Sequence, residues 1–392
     1  MRSGGAVCAL LALLTAPVQG QSQFEVTGYA LGVGSYAADS DFLTSGASWL
    51  GRGRLMVDVS RDWLSFEAAY EHITLRQPEG GGFGFTNPGG SRGSTDWLPL
   101  DWTIHESTTG EWRHRFDRVA LRAARGPLEV TVGRQAISWA TTLFLTPADP
   151  FAPFDPSDPF REYRGGVDAI RLRAFPGPFS EIEAVVRPTD TPTGTSMTAL
   201  GRVATSRGGW AFGGWAGLLH DEAAGAVFTT GGIGATSIRS ELAIREGPTD
   251  GAVVRVSLGF DRFFQAGGKD LSVLGEVQYD GYGASGPAAL VDVAVSEPFS
   301  RGDMQVLGRW TVAAQASYQA HPLVGVDALT LVNADDLSFL FAPGLSWSTT
   351  SYASARAGVF FGFGDAAPSS FALGSEYGSV PGLGYLSVSM FF

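Results

Sequence analysis

The chain ends with the residues Leu386-Ser387-Val388-Ser389-Met390-Phe391-Phe392, and this stretch decides the fold class. Apolar Leu386, Val388 and Met390 alternate with serines, and Phe392 follows in the same phase. Alternation with a period of two indicates a β-strand that has one apolar face and one polar face. We therefore predict that the C-terminus is a two-faced strand.

The same alternation recurs along the chain from Gln23 onward, for example at Leu55, Val57 and Val59. It predicts an all-β protein of about eighteen strands. Sixteen is the alternative, because the glycine-rich stretch 229–236 can hide or mimic a hairpin. The approximate strand starts are Gln23, Leu50, Leu64, Glu111, Leu128, Val167, Ile182, Met197, Trp210, Ala226, Ile238, Val253, Leu271, Met304, Val324, Leu337, Ala353 and Leu383.

The segments between the predicted strands form a short class and a long class. The short ones include 60–62, 125–127, 175–178, 206–209 and 321–322. The long ones include 76–104, 140–166, 283–302 and 364–382. Short turns at one end and long loops at the other are typical of an outer-membrane barrel. A β-sandwich has no reason to sort its connections in this way, and a β-propeller would show a repeat of about 40–50 residues, which is absent.

The terminal strand, with Val388, Met390 and Phe392 on one face, resembles the last strand of Gram-negative outer-membrane proteins. The barrel-assembly machinery is thought to recognise that strand. The resemblance implies a closed antiparallel transmembrane β-barrel of porin-like type, located in the bacterial outer membrane and surrounded by the lipid bilayer. It also implies short periplasmic turns, long extracellular loops and, by analogy with porins, a homotrimer. It identifies no particular family.

The first twenty residues have the order of a secretory signal peptide. Arg2 precedes an apolar core at 6–14, and small residues follow up to Gly20. We predict cleavage after Gly20, which leaves 21–392 as a single barrel domain. A retained anchor helix and a lipid-modified Cys8 are the alternatives, but the apolar core is too short to span a bilayer.

The composition excludes several classes of protein. Because 27 basic residues face 39 acidic ones, the net charge is −12, and no basic face is available for nucleic acid. A single cysteine in 392 residues excludes a disulfide scaffold. The five histidines are scattered, with no HExxH or CxxC motif. We therefore expect neither an enzyme nor a bound cofactor.

Arginines spaced two apart mark the candidate pore lining. Such a spacing places both side chains on one face of a strand, and a charge facing lipid at mid-depth would cost about 2–4 kcal/mol. We therefore expect a lumenal ladder, joined by one further arginine if Gly133 forms a bulge. Its members are Arg52, Arg54, Arg113, Arg115, Arg171, Arg173 and Arg134.

Acidic residues occupy matching inward positions, chiefly Glu67, Glu71, Glu181 and Glu183, with Glu111, Glu241, Glu276 and Asp280. Two interpretations remain open. In one, these charges pair across neighbouring strands and line an ordinary wet lumen. In the other, an arginine ladder faces an acidic patch across a constriction and selects solutes by charge.

The proline-rich loop 146–160 is the second candidate feature. Prolines fix φ and remove backbone donors, so the segment is stiff and non-helical. It can fold inward as a constriction, as the third loop of general porins does, or remain a rigid external loop. A third alternative is a weak Ca²⁺ site. Its ligands would be Asp149, Asp155 and Asp158, and Arg161 and Arg164 would add positive charge to the constriction.

Aromatic residues near the predicted strand ends suggest interfacial girdles. They are Trp49, Trp63, Tyr70, Trp112, Trp139, Trp210, Trp347, Tyr385 and Phe392, whereas Trp215 and Trp310 lie nearer mid-strand. Together these features predict a passive channel for small polar or anionic solutes. The alternative is a non-conducting barrel whose long loops contact a partner.

Overall fold

The computed structural model describes residues 22–79, 96–151, 160, 163–191, 194–247, 251–369 and 371–392. The predicted signal peptide, Asp155, Asp158 and Arg161 lie outside the described residues. The strands are β1 Ser22–Ala37, β2 Gly46–Arg61, β3 Leu64–Arg76, β4 Asp101–Ser107, β5 Gly110–Arg125, β6 Leu128–Gln135, β7 Val167–Gly177, β8 Ser180–Thr191, β9 Gly194–Arg207, β10 Trp210–Leu219, β11 Glu222–Ile233, β12 Thr236–Glu246, β13 Ala252–Ala266, β14 Lys269–Asp280, β15 Trp310–His321, β16 Val324–Asn333, β17 Phe339–Thr350, β18 Ala353–Phe363 and β19 Leu383–Phe391.

Eighteen of these strands close into an antiparallel barrel, which confirms the predicted fold class and strand number. β1 pairs with both β2 and β19, so the sheet has no free edge at its ends. The doubtful stretch 229–236 is a real hairpin, in which β11 and β12 pair from Ala224 to Ile233. The sequence missed β4, which adds to β5 beyond the point where β6 ends.

The two classes of connection lie at opposite ends of the barrel, as the sequence predicted. One end carries two-residue turns at 62–63, 126–127, 178–179, 208–209, 234–235, 267–268, 322–323 and 351–352. The other end carries the longer loops and also the two-residue turn at 220–221. We call the two halves of the barrel the short-turn half and the long-loop half. None of the described helices is long and apolar enough to cross a membrane.

The loop between β14 and β15 contains the short helices Leu290–Ala294 and Glu297–Ser300. The predicted strand start at Met304 is wrong, because β15 begins at Trp310. Met304 is 1% exposed and packs with Leu290 and Val293 of the first short helix. The alternating residues around Met304 therefore belong to a buried extended loop and not to a strand.

The outer surface of the barrel carries exposed apolar side chains, while most buried charged groups lie inside. Leu55, Leu121, Ile170 and Leu172 are exposed, which is the reverse of a water-soluble protein. Lipid is the medium in which such a surface is stable. Trp49, Trp63, Trp112, Trp347 and Phe392 are exposed as girdle residues require.

Two of the predicted girdle residues are buried, and that part of the girdle prediction is wrong. Trp139 is 2% exposed and lies on an internal loop, where it contacts Trp215. Tyr385 packs against Phe160 and Phe360. Both residues lie near strand ends, as girdle residues do. Sequence position alone, however, does not show whether a side chain points into the lumen or out toward lipid.

Part of the lumen is apolar, which the sequence analysis did not predict. On β1 the large residues Tyr29, Leu31 and Val33 are buried, and they alternate with small residues at 30, 32 and 34. They join an internal cluster with Leu50 and Ile73 and with residues of β15–β19. On this segment the larger apolar face therefore points inward.

Candidate functional site

The loop after β6 turns into the barrel and narrows it. We call residues 141–148 the strap, since this segment lies along the inner wall of β10–β14. Its flanking residues Trp139 and Phe151 pack on lumen-facing apolar residues of β7–β12, including Trp215. Leu145 belongs to the apolar cluster of the opposite wall. Of the alternatives for this loop, the described residues therefore adopt the inward-folded conformation.

The carboxylate of Glu276 on β14 holds the middle of the strap. Its Oε1 accepts a hydrogen bond from the backbone N–H of Leu143 at 2.6 Å. Its Oε2 accepts from Phe144 at 2.9 Å and from Leu145 at 2.8 Å. Three consecutive N–H groups that converge on one anion form a concave binding site of the nest type.

The carboxylate of Glu241 on β12 holds both ends of the strap. Its Oε1 accepts from the N–H groups of Thr141 and Thr142, the latter at 2.8 Å. Its Oε2 accepts from Ala148 at 2.9 Å. The indole of Trp215 donates to the carbonyl of Ala148 at 2.8 Å. Glu241 is 0% exposed, so these bonds replace the water that a buried carboxylate otherwise requires.

Gln305, from the loop between β14 and β15, is a third contact to the strap. Its side-chain oxygen accepts from the N–H of Thr146 at 2.8 Å, and its amide donates to the carbonyl of Phe144. The sequence analysis placed Glu241 and Glu276 at inward positions but assigned no role to them. Their task is visible only when the backbone of the strap is present.

Asp149, the first candidate calcium ligand, is already bound by protein groups. Its carboxylate accepts from Ser138 Oγ at 3.1 Å and pairs with Arg164 at 2.6 Å. It also accepts from the N–H groups of Trp139 and Phe151. Burial raises the pKa of Asp149 above its usual value. Among the described residues no group of three or more candidate ligands could hold a metal ion.

The predicted arginines divide into two sets, and the first lies in the long-loop half. Arg54 pairs with Glu71 at 2.6 Å and with Asp117 at 2.8 Å. Arg115 pairs with the same Glu71, also at 2.6 Å. Arg54 is 2% exposed and lies under the ring of Tyr163. This part of the ladder is a buried charge network that supports the internal loop.

Two neighbouring arginines complete this upper set. Arg52 donates to the carbonyl of Phe160 at 3.1 Å, so it also binds the internal loop. Arg113 lies 3.1 Å from Glu111 and 3.5 Å from Asp101 of β4.

Arg134 is buried in the barrel wall, and it does not face the lumen as the other arginines of the ladder do. The expected bulge is wrong, since the pairing of β6 with both neighbours runs through Gly133 without a shift. Instead Gly133 adopts a φ of 118°, a conformation open to glycine. Arg134 bonds Asp168 at 2.8 Å and the carbonyls of Leu98 at 2.7 Å and Phe116 at 3.2 Å.

The second set of arginines lies in the short-turn half and is more exposed. Arg171 pairs with Glu183 at 2.6 Å, and both Arg122 and Arg173 pair with Glu129. The side chains of Arg122, Arg173 and Arg171 are 50%, 23% and 16% exposed. Those of Glu129 and Glu183 are only 5% and 0% exposed. In these pairs the guanidinium therefore faces the lumen, and the carboxylate lies behind it.

Two acids of the predicted set are exposed to a similar or greater degree than their partners. Glu67 pairs with Arg118 at 2.7 Å, and Glu181 lies 3.2 Å from Arg202. The sequence analysis missed Arg118, Arg122 and Arg202. The register shift between Ala69 and Tyr70 in the β3–β5 pairing explains part of this, because it changes which residues of β5 face inward.

A charge cluster lies at the long-loop end above β10–β12. Asp303 pairs with Arg245 at 2.7 Å and with Arg301 at 3.1 Å. Burial opposes ionisation of Asp303, but these two arginines outweigh it and lower its pKa to about 2. Burial lowers the pKa of His220, 3.9 Å from Asp303, to about 4.

Glu376 connects three loops at the same end. Its carboxylate accepts from the N–H groups of Leu307 at 2.8 Å and Gly308 at 3.0 Å. It also accepts from the side chain of Asn333 at 2.8 Å. Burial, with the nearby charge of Asp336, raises the pKa of Glu376 to about 7.

No protein-family model and no curated protein sequence matches the chain. Solved structures do match it over nearly its whole length. OccAB1 of Acinetobacter baumannii is 10% identical with a TM-score of 0.56, covering 94% of this chain and 96% of its own. A BenF-like porin of Pseudomonas fluorescens Pf-5 is 11% identical with a TM-score of 0.56, covering 95% and 98%.

A third match is OccK2 (OpdF) of Pseudomonas aeruginosa in complex with glucuronate, 10% identical with a TM-score of 0.53. It covers 94% of this chain and 98% of its own. The chain has the porin fold. At these identities the likeness concerns the fold alone, so the strap and the arginine sets are features of this chain's own residues.

Proposed function

We propose that this porin is a passive outer-membrane channel for small polar solutes, with a preference for anions. The observation that carries the proposal is the difference in exposure within the ion pairs that Arg122, Arg171 and Arg173 make with Glu129 and Glu183. Arg122, Arg171 and Arg173 face the lumen, while Glu129 and Glu183 lie behind them. A passing anion therefore meets guanidinium groups before it meets the balancing carboxylates.

Guanidinium groups suit this task because they present several N–H donors and stay charged at every physiological pH. Each arginine keeps one side toward its glutamate and offers the other to the solute. A carboxylate solute can then exchange from one arginine to the next, as charged side-chain rings in selective pores allow. OccK2 is in complex with glucuronate, a carboxylate, which supports the same solute class for this chain.

The passage is passive and narrow in this proposal. A solute enters at the long-loop end, passes the strap, and leaves through the arginine-lined short-turn half. Arg52, Arg54 and Arg115 position the internal loop, and Arg113 extends this network toward β4. Glu241 and Glu276 fix the strap. Arg164, and Arg161 as a prediction, would add positive charge beside it.

The location and assembly follow from the fold and from the last strand. We propose that residues 1–20 are removed on export and that the mature barrel, residues 21–392, lies in the outer membrane. Val388, Met390 and Phe392 lie exposed on the outer face, as a signal for the barrel-assembly machinery requires. A homotrimer stays a prediction by analogy.

Reversal potentials across a salt gradient in planar bilayers test the proposal. Arg171→Ala with Arg173→Ala should shift the reversal potential toward cation preference, because the carboxylates of Glu129 and Glu183 then face the lumen. The control is Arg207→Ala with Arg262→Ala, which removes the same charge from exposed outward positions. The control should leave selectivity unchanged. A cation-selective unaltered channel, or equal selectivity in both variants, would contradict the anion preference.

The apolar cluster in the long-loop half favours a second candidate function. Leu50, Ile73, Leu331 and Leu340 are nearly inaccessible although they face inward. If this cluster closes the passage, the protein is a non-conducting barrel whose loops contact a partner. Stepwise openings in bilayers support the channel, whereas silence of protein shown to be folded supports this alternative.

A further inference from the structure

The short-turn half contains a cavity of about 400 Å³ that is lined from β1 to β7. This volume lies in the range of small-molecule sites. One side of the cavity carries Glu25, Asp58 and Glu67, and the other carries Arg122, Arg171 and Arg173. The cavity therefore has a negative side and a positive side.

The three carboxylates lie side by side on neighbouring strands. Glu25 of β1 is directly opposite Asp58 of β2, which is directly opposite Glu67 of β3. Like charges in such positions destabilise a sheet. Glu67 pairs with Arg118, but within the described residues Glu25 and Asp58 take part in no ion pair. The row thus presents two exposed carboxylates to the cavity, and the adjoining lining arginine, Arg118, is bonded to Glu67.

On the opposite side, the partner carboxylates do not fully balance the positive charge of the arginines. Arg122 and Arg173 share the buried carboxylate of Glu129, and Arg173 also lies 3.8 Å from Glu181. Their side chains are 50% and 23% exposed. Among the residues that line this side of the cavity, the three arginines Arg122, Arg171 and Arg173 lie beside one carboxylate, Glu129, so the lining is positive here.

We propose that this cavity is a binding site for small dipolar solutes that carry one cationic and one anionic group. The ammonium or guanidinium group of the solute lies against Glu25 and Asp58, and its carboxylate lies against Arg122 and Arg173. This inference rests on the proposed channel function and narrows its solute class. A purely anionic solute satisfies one side only and meets the unpaired carboxylates of the other.

A matched series of four-carbon solutes tests the site. 4-Aminobutyrate carries both charges, butyrate carries the anionic one and butylamine the cationic one. Binding to the detergent-solubilised porin is followed by saturation-transfer difference NMR, and permeation by swelling of liposomes that contain it. We expect 4-aminobutyrate to bind and permeate better than either analogue by about two- to fivefold, as exposed ion pairs permit.

Two variants separate the two sides of the cavity. Glu25→Gln with Asp58→Asn should remove the advantage of 4-aminobutyrate and leave butyrate unchanged or faster. Arg122→Gln with Arg173→Gln should weaken both 4-aminobutyrate and butyrate. The control, Glu79→Gln with Asp292→Asn, removes the same negative charge from exposed loop positions and should preserve the advantage.

The outcomes separate this inference from the channel proposal. If 4-aminobutyrate has no advantage, or keeps it in the Glu25 and Asp58 variant, the inference is overturned even though liposomes swell. If no solute causes swelling, the channel proposal fails. Loss of selective 4-aminobutyrate binding in that variant would then still support the site, since NMR detects binding without transport.

Discussion

The two halves of the lumen differ in what covers their inward-facing residues. In the long-loop half, apolar side chains and buried carboxylates pack against the strap and the loops. In the short-turn half, arginines and carboxylates border an open cavity. Both halves are built from the same alternating strands. The character of a barrel interior therefore depends on the segments folded into it as much as on the wall.

The strongest test of this difference is to release the strap. Glu241→Ala with Glu276→Ala removes the acceptors of six backbone N–H groups, so the strap should lose its fixed position. We expect the single-channel conductance to rise about two- to fivefold with increased open-channel noise, because a narrow constriction limits flow. Planar-bilayer recording measures both.

The control for strap release is Asp261→Asn. This carboxylate lies on β13, pairs with Arg239 and makes no contact with the strap among the described residues. Its conductance should equal that of the unaltered protein. An equal rise in both variants, or no rise in either, would show that the strap does not limit flow.

The second test compares ion pairs in the two halves. Glu71→Ala leaves Arg54 and Arg115 buried without their shared partner, and breaking a buried pair costs about 3–5 kcal/mol. Glu181→Ala removes a partly exposed carboxylate from Arg202, which stays 3.6 Å from Glu183, so the cost should be below about 1 kcal/mol. Urea unfolding in lipid vesicles measures both free energies. Equal losses would remove the distinction between the halves.

The third test uses two leucines of β2. Leu50 faces the apolar cluster and is 0% exposed, whereas Leu55 faces lipid and is 42% exposed. Leu50→Ala leaves a cavity and should cost about 2–5 kcal/mol. Leu55→Ala loses burial in lipid but leaves no cavity, so its cost should be smaller by about 1–2 kcal/mol. The same urea titrations decide this, and a larger loss for Leu55→Ala would contradict the packed interior.

The fourth test is the pH dependence of the loops around Glu376. Its pKa rises from 4.5 in water to about 7 when the loops dock, so the docked state binds the extra proton. Docking should therefore be strongest below pH 4.5, weaken as the pH rises toward 7, and level off above. Hydrogen exchange at the amides of Leu307 and Gly308 measures how strongly the loops are docked at each pH. In Glu376→Gln this pH dependence should disappear; if it persists, another group is responsible.

The sequence predicted the wall well because alternation is local. The starts at Leu64, Leu128, Val167, Trp210, Val324, Ala353 and Leu383 agree with the structure. Alternation separates two faces but does not say which is inside. On β1 the alternation suggested the wrong orientation, because Tyr29, Leu31 and Val33 pack inward on other residues of the lumen. Which face of β1 points inward depends on contacts with distant strands and loops.

The candidate site was only partly predictable, for the same reason. In the sequence Glu241 and Glu276 look like ordinary inward-facing acids, and nothing local indicates that the strap, 93 or more residues earlier, supplies their hydrogen-bond donors. The inward fold of the proline-rich loop was one of three alternatives. Arg134 was misplaced because the pairing of β6 runs through Gly133 without a bulge, so Arg134 stays in phase with the exposed Val130 and Val132.

The most direct test of the central claim is single-channel recording of the purified, unaltered protein in planar bilayers. The predicted result is small stepwise openings and a reversal potential on the anion side in a salt gradient. Folded protein that stays silent, or that conducts with a clear preference for cations, would contradict it.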